Sequence, residues 1–188
     1  TWLLKLGAKV VGISKDIPTN PSMFQILELE DKIKYYQEDI RDLAKMIYII
    51  SDEKPDFLFH LAAQPVVSTS YLEPSETISS NVVGTANILE ALKVSNHNCV
   101  AVIITSDKAY DNVEQLEGYK EDDKLGGKDV YSGSKGAAEL IIKSYFHSFL
   151  KKKSCNIKLA IGRAGNVIGG GDWAKNRIIV DCMKAWNK

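Results

Sequence analysis

Short apolar runs alternate with amphipathic stretches along almost the whole chain, and few folds accommodate that rhythm. The runs at 8–13, 57–63, 99–105 and 157–162 are rich in Val, Ile, Leu and Phe and have strand length. A shorter run, Ile33-Lys34-Tyr35-Tyr36, precedes Glu38-Asp39-Ile40-Arg41-Asp42, where a carboxylate is placed to cap a helix through Ile50. Helical patterns also cover about 71–94, 130–150 and 174–186. Strands separated by crossover helices pair in parallel, so the expected fold is α/β: a Rossmann-like, doubly wound parallel sheet with helices on both faces. Trp2-Leu3-Leu4-Lys5-Leu6-Gly7 reads as the tail of a helix closed by glycine, with a strand directly after it. A chain that opens inside a helix reads as a fragment, its sheet incomplete at both ends. The expected division is 1–165 for a partial dinucleotide-binding domain and 166–188 for the start of a substrate-binding region.

Basic and acidic residues balance at 24 each, which removes the electrostatic reason to expect nucleic acid or an anionic membrane as partner. Lys151-Lys152-Lys153 reads as a solvated helix end, with a polyanion site as the alternative. Cys99, Cys155 and Cys182 are odd in number and widely spaced, which fits a reducing cytoplasm better than a disulfide framework. His60, His97 and His147 are scattered and predict no metal site. No apolar run approaches the ~20 residues of a membrane span.

Parallel sheets bind ligands beyond the carboxyl ends of their strands, so chemistry is sought at the strand exits. The first reads His60-Leu61-Ala62-Ala63-Gln64-Pro65, where small alanines admit a flat ring and Gln64 offers polar groups at the rim. The next, Thr105-Ser106-Asp107-Lys108, sets hydroxyl, carboxylate and amine side by side. The last, running from Arg163 to Trp173, combines glycines with Arg163 and Asn166, and Arg177 follows; these polar groups suit phosphates or a base. Tyr131 and Lys135 are four apart and leave one helix face together, where the ammonium eases ionisation of the phenol. Each feature alone also suits ordinary packing or a polar turn. Their joint occurrence at strand exits points to a catalytic cleft.

With these segments the chain resembles the extended short-chain dehydrogenase/reductases, and within them the CDP-glucose 4,6-dehydratases. The resemblance rests on His60-Leu-Ala-Ala-Gln-Pro65, Thr105-Ser-Asp-Lys108, Tyr131-Ser-Gly-Ser-Lys-Gly-Ala-Ala-Glu139 and Arg163-Ala-Gly-Asn-Val-Ile-Gly-Gly-Gly-Asp-Trp173. It implies NAD as cofactor, lined by Asp39, Ile40, Ala62, Ala63, Gln64, Tyr131 and Lys135. It implies a nucleotide-diphosphate sugar, CDP-glucose, as substrate, met by Asn166 and Arg177, and a homo-oligomer at full length. Asn81 matches a helix asparagine with a structural role. The family's Gly-rich phosphate loop and most of its substrate lobe have no counterpart in the residues present.

The implied reaction begins when Tyr131 removes the sugar 4-hydroxyl proton, with Ser106 as the active-site hydroxyl, while hydride leaves C4 for NAD. The 4-ketone acidifies C5, water is eliminated across C5 and C6 with Asp107 as acid and Lys108 as base, and hydride returns to C6. Lys108 is expected to be partly buried near Lys135, which favours its neutral form. Ser14-Lys15-Asp16 stands where an acidic residue would hold the ribose, so the choice of NAD over NADP rests on the resemblance alone. A nucleotide-sugar 4-epimerase and a non-catalytic NAD-binding remnant are the rival readings. Epimerisation needs no elimination acid and base, so the Asp107-Lys108 pair favours dehydration.

Overall fold

A computed structural model describes residues 1–174 and 176–187. Helix α1 spans Trp2–Lys5 and ends as expected at Gly7, whose φ of 81° needs a residue without Cβ. Strand β1 is Val11–Ser14, α2 is Met23–Ile26 and β2 is Lys34–Gln37. Asp42 caps α3, Leu43–Glu53, its carboxylate accepting from the Lys45 amide. Strand β3 covers Phe57–His60. Instead of one helix over 71–94, α4 spans Val67–Leu72 and α5 spans Pro74–Ile78. A π turn over Ser79–Val83 then leads into α6, Gly84–Ser95. The break falls where Pro74, lacking an N–H, begins a new helix rather than extending the old one.

Strand β4 runs Cys99–Ile104 and is followed by a 3₁₀ turn over Asp107–Ala109. Helix α7, Val130–Tyr145, continues into a π turn at Phe146–Leu150, and β5 is Ile157–Gly162. Helix α8 begins at Ile178, later than expected, and ends at Trp186. Asp172 accepts from the Ala174 amide in a local turn and Arg177 occupies the N-cap, while Lys175 lies outside the described residues.

The chain divides into two compact units, 1–39 with 166–188, and 40–165. In the first, β1 and β2 pair in parallel, Val11 opposite Lys34. In the second, β3, β4 and β5 form a parallel sheet in that order, Phe57 opposite Val100 and Cys99 opposite Ile157. The hydrogen bonding therefore gives two parallel sheets, where the strand–helix rhythm predicted one. Strands β1 and β3 have four residues each, and Gly12 lies within β1, leaving a short ladder that goes to β2. In β4, Cys99, Ala101 and Ile103 are buried, and Ile103 packs with Leu89 of α6 and Ile142 of α7. On β3, Phe57 and Phe59 remain exposed. Helix α3 packs on α6 through a face that buries Met46, Ile49 and Ile50. Among the described residues no helix is long and apolar enough to cross a membrane.

Candidate active site

Beyond β4 the chain stays zipped to the exit of β5, Thr105 N donating to Gly162 O at 2.9 Å and Asp107 N to Ala164 O at 3.1 Å. Ser106 is extended, and its hydroxyl oxygen accepts from Lys108 N at 3.2 Å to start the 3₁₀ turn. The same hydroxyl donates to Asp107 Oδ1 at 3.0 Å, so serine and carboxylate act as one polar unit. Asp107 and Lys108 themselves are exposed. The partial burial expected for Lys108 is absent, because the turn places its side chain outward, within electrostatic reach of Asp129.

This turn packs against α7. Asp129 caps that helix, accepting from Ser132 N at 2.9 Å and from Ser132 Oγ at 2.6 Å. Burial pushes the Asp129 carboxyl up, but the Ser132 bonds and the Lys108 charge outweigh it and hold the group below the ordinary range. Tyr131 and Lys135 share the face predicted by their spacing, and the Lys135 Nζ lies 6.0 Å from the Tyr131 ring centroid. Both are buried, with Lys135 at 7 % exposure. Burial pushes the Lys135 ammonium down to about 8, and it has no ion pair among the described residues.

The β3 exit is tied to the same helix. Asn81 accepts from Gln64 N at 2.8 Å and donates to Gln64 O at 3.2 Å and to Ser134 Oγ at 2.9 Å. Ser134 in turn donates to the Tyr131 carbonyl at 2.7 Å. The Gln64 side chain was expected at the cleft rim. It turns inward, donating to Thr77 Oγ1 at 2.8 Å and accepting from Val66 N at 2.6 Å, because the loop's own polar groups need partners. Ala62 and Ala63 are half-buried and present no side-chain bulk. Behind them, His60 Nε2 lies 3.0 Å from Thr85 Oγ1. The Thr85 hydroxyl proton is committed to the Asn81 carbonyl at 2.7 Å, so Nε2 is the donor. Burial, with the Lys135 charge second, lowers the His60 pKa to about 4.

Ile40 is buried, and its carbonyl and that of Arg41 accept from Asn87 Nδ2 at 3.0 and 2.8 Å. Arg41 pairs with Glu76. Arg163, predicted to meet phosphates or a base, is instead engaged within the protein. It donates from Nε to Glu139 Oε1 at 2.8 Å and from Nη2 to Glu139 Oε2 at 2.6 Å, and its guanidinium lies 4.4 Å from the Tyr110 ring centroid. Glu139 is fully buried, and a charge there needs a planar, bidentate partner. In the sequence Glu139 stands only as the end of the motif that begins at Tyr131. The available signal was its position four residues after Lys135, on the same helix face.

In the first unit, Asp39 is half-buried just after β2, and Ser14 closes β1 with its hydroxyl 2.8 Å from Tyr35 Oη. Asn166 and Arg177 line one cavity of about 800 Å³, together with Asp172 and Trp173. Arg177 Nε stands 3.6 Å from Asp172 Oδ2 but makes no hydrogen bond among the described residues. This Nε is buried, and its nearest charged partner is the Asp172 carboxylate.

Residues 1–162 match the model of the family described as GDP-mannose 4,6 dehydratase. The chain is 46% identical to a CDP-glucose 4,6-dehydratase of Salmonella typhimurium, covering 98% of this chain and 52% of that protein. A dTDP-glucose 4,6-dehydratase from Streptomyces venezuelae, solved with NAD bound, has the same fold with a TM-score of 0.83 at 18% identity, covering 99% of this chain and 57% of the other. A UDP-glucose 4-epimerase from Thermotoga maritima has a TM-score of 0.80 at 21% identity, covering 96% and 55%. The chain spans about half the length of the curated relatives it matches.

Proposed function

The chain belongs to the GDP-mannose 4,6 dehydratase family, and from that membership we propose that it serves a nucleotide-sugar 4,6-dehydratase acting on CDP-glucose with NAD. The observation that carries the reading is the packing of the Ser106-Asp107-Lys108 turn on the helix that bears Tyr131 and Lys135. The 46% identity to a CDP-glucose 4,6-dehydratase supports the choice of nucleotide. The expected domain division, with 1–165 serving the cofactor and 166–188 opening the sugar-nucleotide region, goes with this reading. So do a cytoplasmic setting and a homo-oligomer.

The residues present fit the cofactor. Ala62 and Ala63 form a wall without bulk for a flat ring, and Lys135 has an ammonium without an ion pair for ribose hydroxyls. Tyr131 adjoins Lys135, Gln64 shapes the wall through its inward bonds, and Asp39 with Ile40 is assigned to the adenine end. Bound NAD supplies the hydride acceptor for oxidation at C4 and the donor for reduction at C6. Tyr131, with the Lys135 ammonium beside its ring, takes the proton of the 4-hydroxyl, and Ser106 orients that oxygen. Asp107, in its protonated form, gives a proton to the departing 6-hydroxyl, and Lys108 is assigned the C5 proton, a role that needs the neutral amine and so needs bound substrate to cover a side chain exposed here. Asn166 and Arg177 are assigned to the nucleotide sugar, the Arg177 guanidinium suiting a phosphate oxygen. A 4-epimerase would share Tyr131, Lys135 and Ser106 but has no use for the Asp107/Lys108 pair.

The test is turnover of CDP-glucose with NAD by the chain completed to the length of its relatives, followed by product formation, NADH absorbance and solvent-deuterium incorporation at C5. Lys108→Met is expected to accumulate NADH and 4-keto-hexose while product and C5 exchange fall roughly 10²–10⁴-fold. Tyr131→Phe is expected to stop before NADH forms. Appearance of a 4-epimer without a 6-deoxy product would replace dehydration with epimerisation. Parent-rate turnover in Lys108→Met would make Lys108 a bystander.

A further inference from the structure

Three residues of α7, Tyr131, Lys135 and Glu139, are spaced by four and follow one another along a single face. The first two belong to the proposed chemistry. Glu139 is fully buried one turn further on and is not needed for it. Its Oε1 accepts from Thr105 Oγ1 at 2.7 Å as well as from Arg163 Nε. Arg163 leaves the end of β5, stacks on Tyr110 at 4.4 Å and donates from Nη1 to Glu121 O at 3.2 Å. Tyr110 also stacks on Tyr119 with ring centroids 4.9 Å apart. Thr105 and Tyr110 bracket the turn that carries Ser106, Asp107 and Lys108. Its two ends are thus tied to one carboxylate, at the start through a hydroxyl and at the finish through the guanidinium.

We propose that Glu139 and Arg163 form a clamp that sets the position of Ser106 and Asp107 against Tyr131 on α7, so that both are positioning residues for the reaction. This rests on the dehydratase reading for its kinetic consequence, while the clamp itself rests on geometry alone. Burial explains the residue types. A carboxylate away from water requires a fixed cation, and only a guanidinium can pair bidentately while stacking on a ring. Burial pushes the Glu139 carboxyl up, yet the Arg163 and Thr105 bonds hold it below the ordinary range, so it stays charged at neutral pH. An apolar pair of similar volume would fill the space without directing either end of the turn.

The experiment uses the chain completed to the length of its relatives, with kinetics on CDP-glucose and NAD beside amide hydrogen exchange. Thr105→Val deletes one hydroxyl and leaves the ion pair balanced, so it folds even where a charge deletion fails. It is expected to lower kcat roughly tenfold with KM for CDP-glucose within about twofold of the parent. Exchange of amides 106–110 should rise about tenfold while amides 99–104 keep the parent rates. Arg163→Lys, which retains the charge and loses the fork, should move the same readouts further. Thr105→Ser should restore both. Parent values of exchange and kcat in Thr105→Val would overturn the clamp, as would faster exchange with unchanged kcat, or a rise spread evenly over β4 and α7. Should the chain completed to the length of its relatives not turn over CDP-glucose, the proposed activity fails, and the exchange arm still decides whether the turn is held.

Discussion

Asn81 donates a 2.9 Å hydrogen bond to Ser134, fifty-three residues away, while its amide pairs in both directions with the backbone of Gln64. A single side chain thus acts as a short piece of strand edge and joins the β3 exit to the helix that carries Tyr131. It sits in the π turn over Ser79–Val83, a local widening of the kind often found at functional sites. The role assigned to it from sequence was structural, and these bonds give that role its physical content.

Asn81→Ala leaves the Gln64 amide and the Ser134 hydroxyl without their buried partner. The expected loss is about 2 kcal/mol of stability or more, because unsatisfied buried groups retain their desolvation penalty. Urea denaturation measures it. An unchanged midpoint would mean that the bridge contributes nothing to holding the β3 exit.

Lys135→Met should abolish turnover and stabilise the fold at neutral pH. The folded pKa of about 8 lies below the ordinary lysine value, so the folded state binds fewer protons than the unfolded one in between. Stability of the parent therefore rises as pH increases from about 8 toward 10.5, and at pH 7 the buried ammonium costs up to about 3 kcal/mol. Thermal melts of parent and variant at pH 7 and pH 10 test this, with the gap closing at the higher pH. A variant less stable than the parent at pH 7 would contradict it.

The neutral His60 predicts a second pH window. Its folded pKa is about 4 and its unfolded pKa about 6.5, so acidification through that range protonates the unfolded chain first. His60 should therefore withdraw up to about 3 kcal/mol of stability between pH 6.5 and 4, and none of it above pH 7. Urea midpoints across the window are the measurement, with His60→Asn as the comparison whose slope should flatten. In Lys135→Met the window should narrow from the acid side, since one cause of the low value is removed.

Two glycines of α7 should respond oppositely to alanine. A Cβ at Gly136 would lie 2.8 Å from the Gly126 carbonyl oxygen and 3.4 Å from that of Ala109, so backbone must move. Gly136→Ala should destabilise by roughly 1–3 kcal/mol. At Gly133 nothing lies within 4 Å of the added carbon, and Gly133→Ala should stabilise the helix by roughly 0.5–1 kcal/mol. Equal effects in chemical denaturation would show that α7 does not press on the 126–127 segment.

The sequence by itself determined the features governed by short spacings. Asp42 caps α3 because its carboxylate reaches an amide three residues on, and Gly7 ends α1 because the chain needs a positive φ there. Tyr131 and Lys135 share a face because four residues make about one helical turn, and alternation with helices made the strands parallel. Only the tertiary structure decided which distant partner each polar group took. Arg163 met Glu139 rather than standing open to a ligand, Gln64 turned inward to Thr77, and Lys108 stood exposed while burial fell on Lys135. These outcomes depend on which groups lose water together when separate elements pack. That competition joins residues tens of positions apart and leaves no periodic mark along the chain.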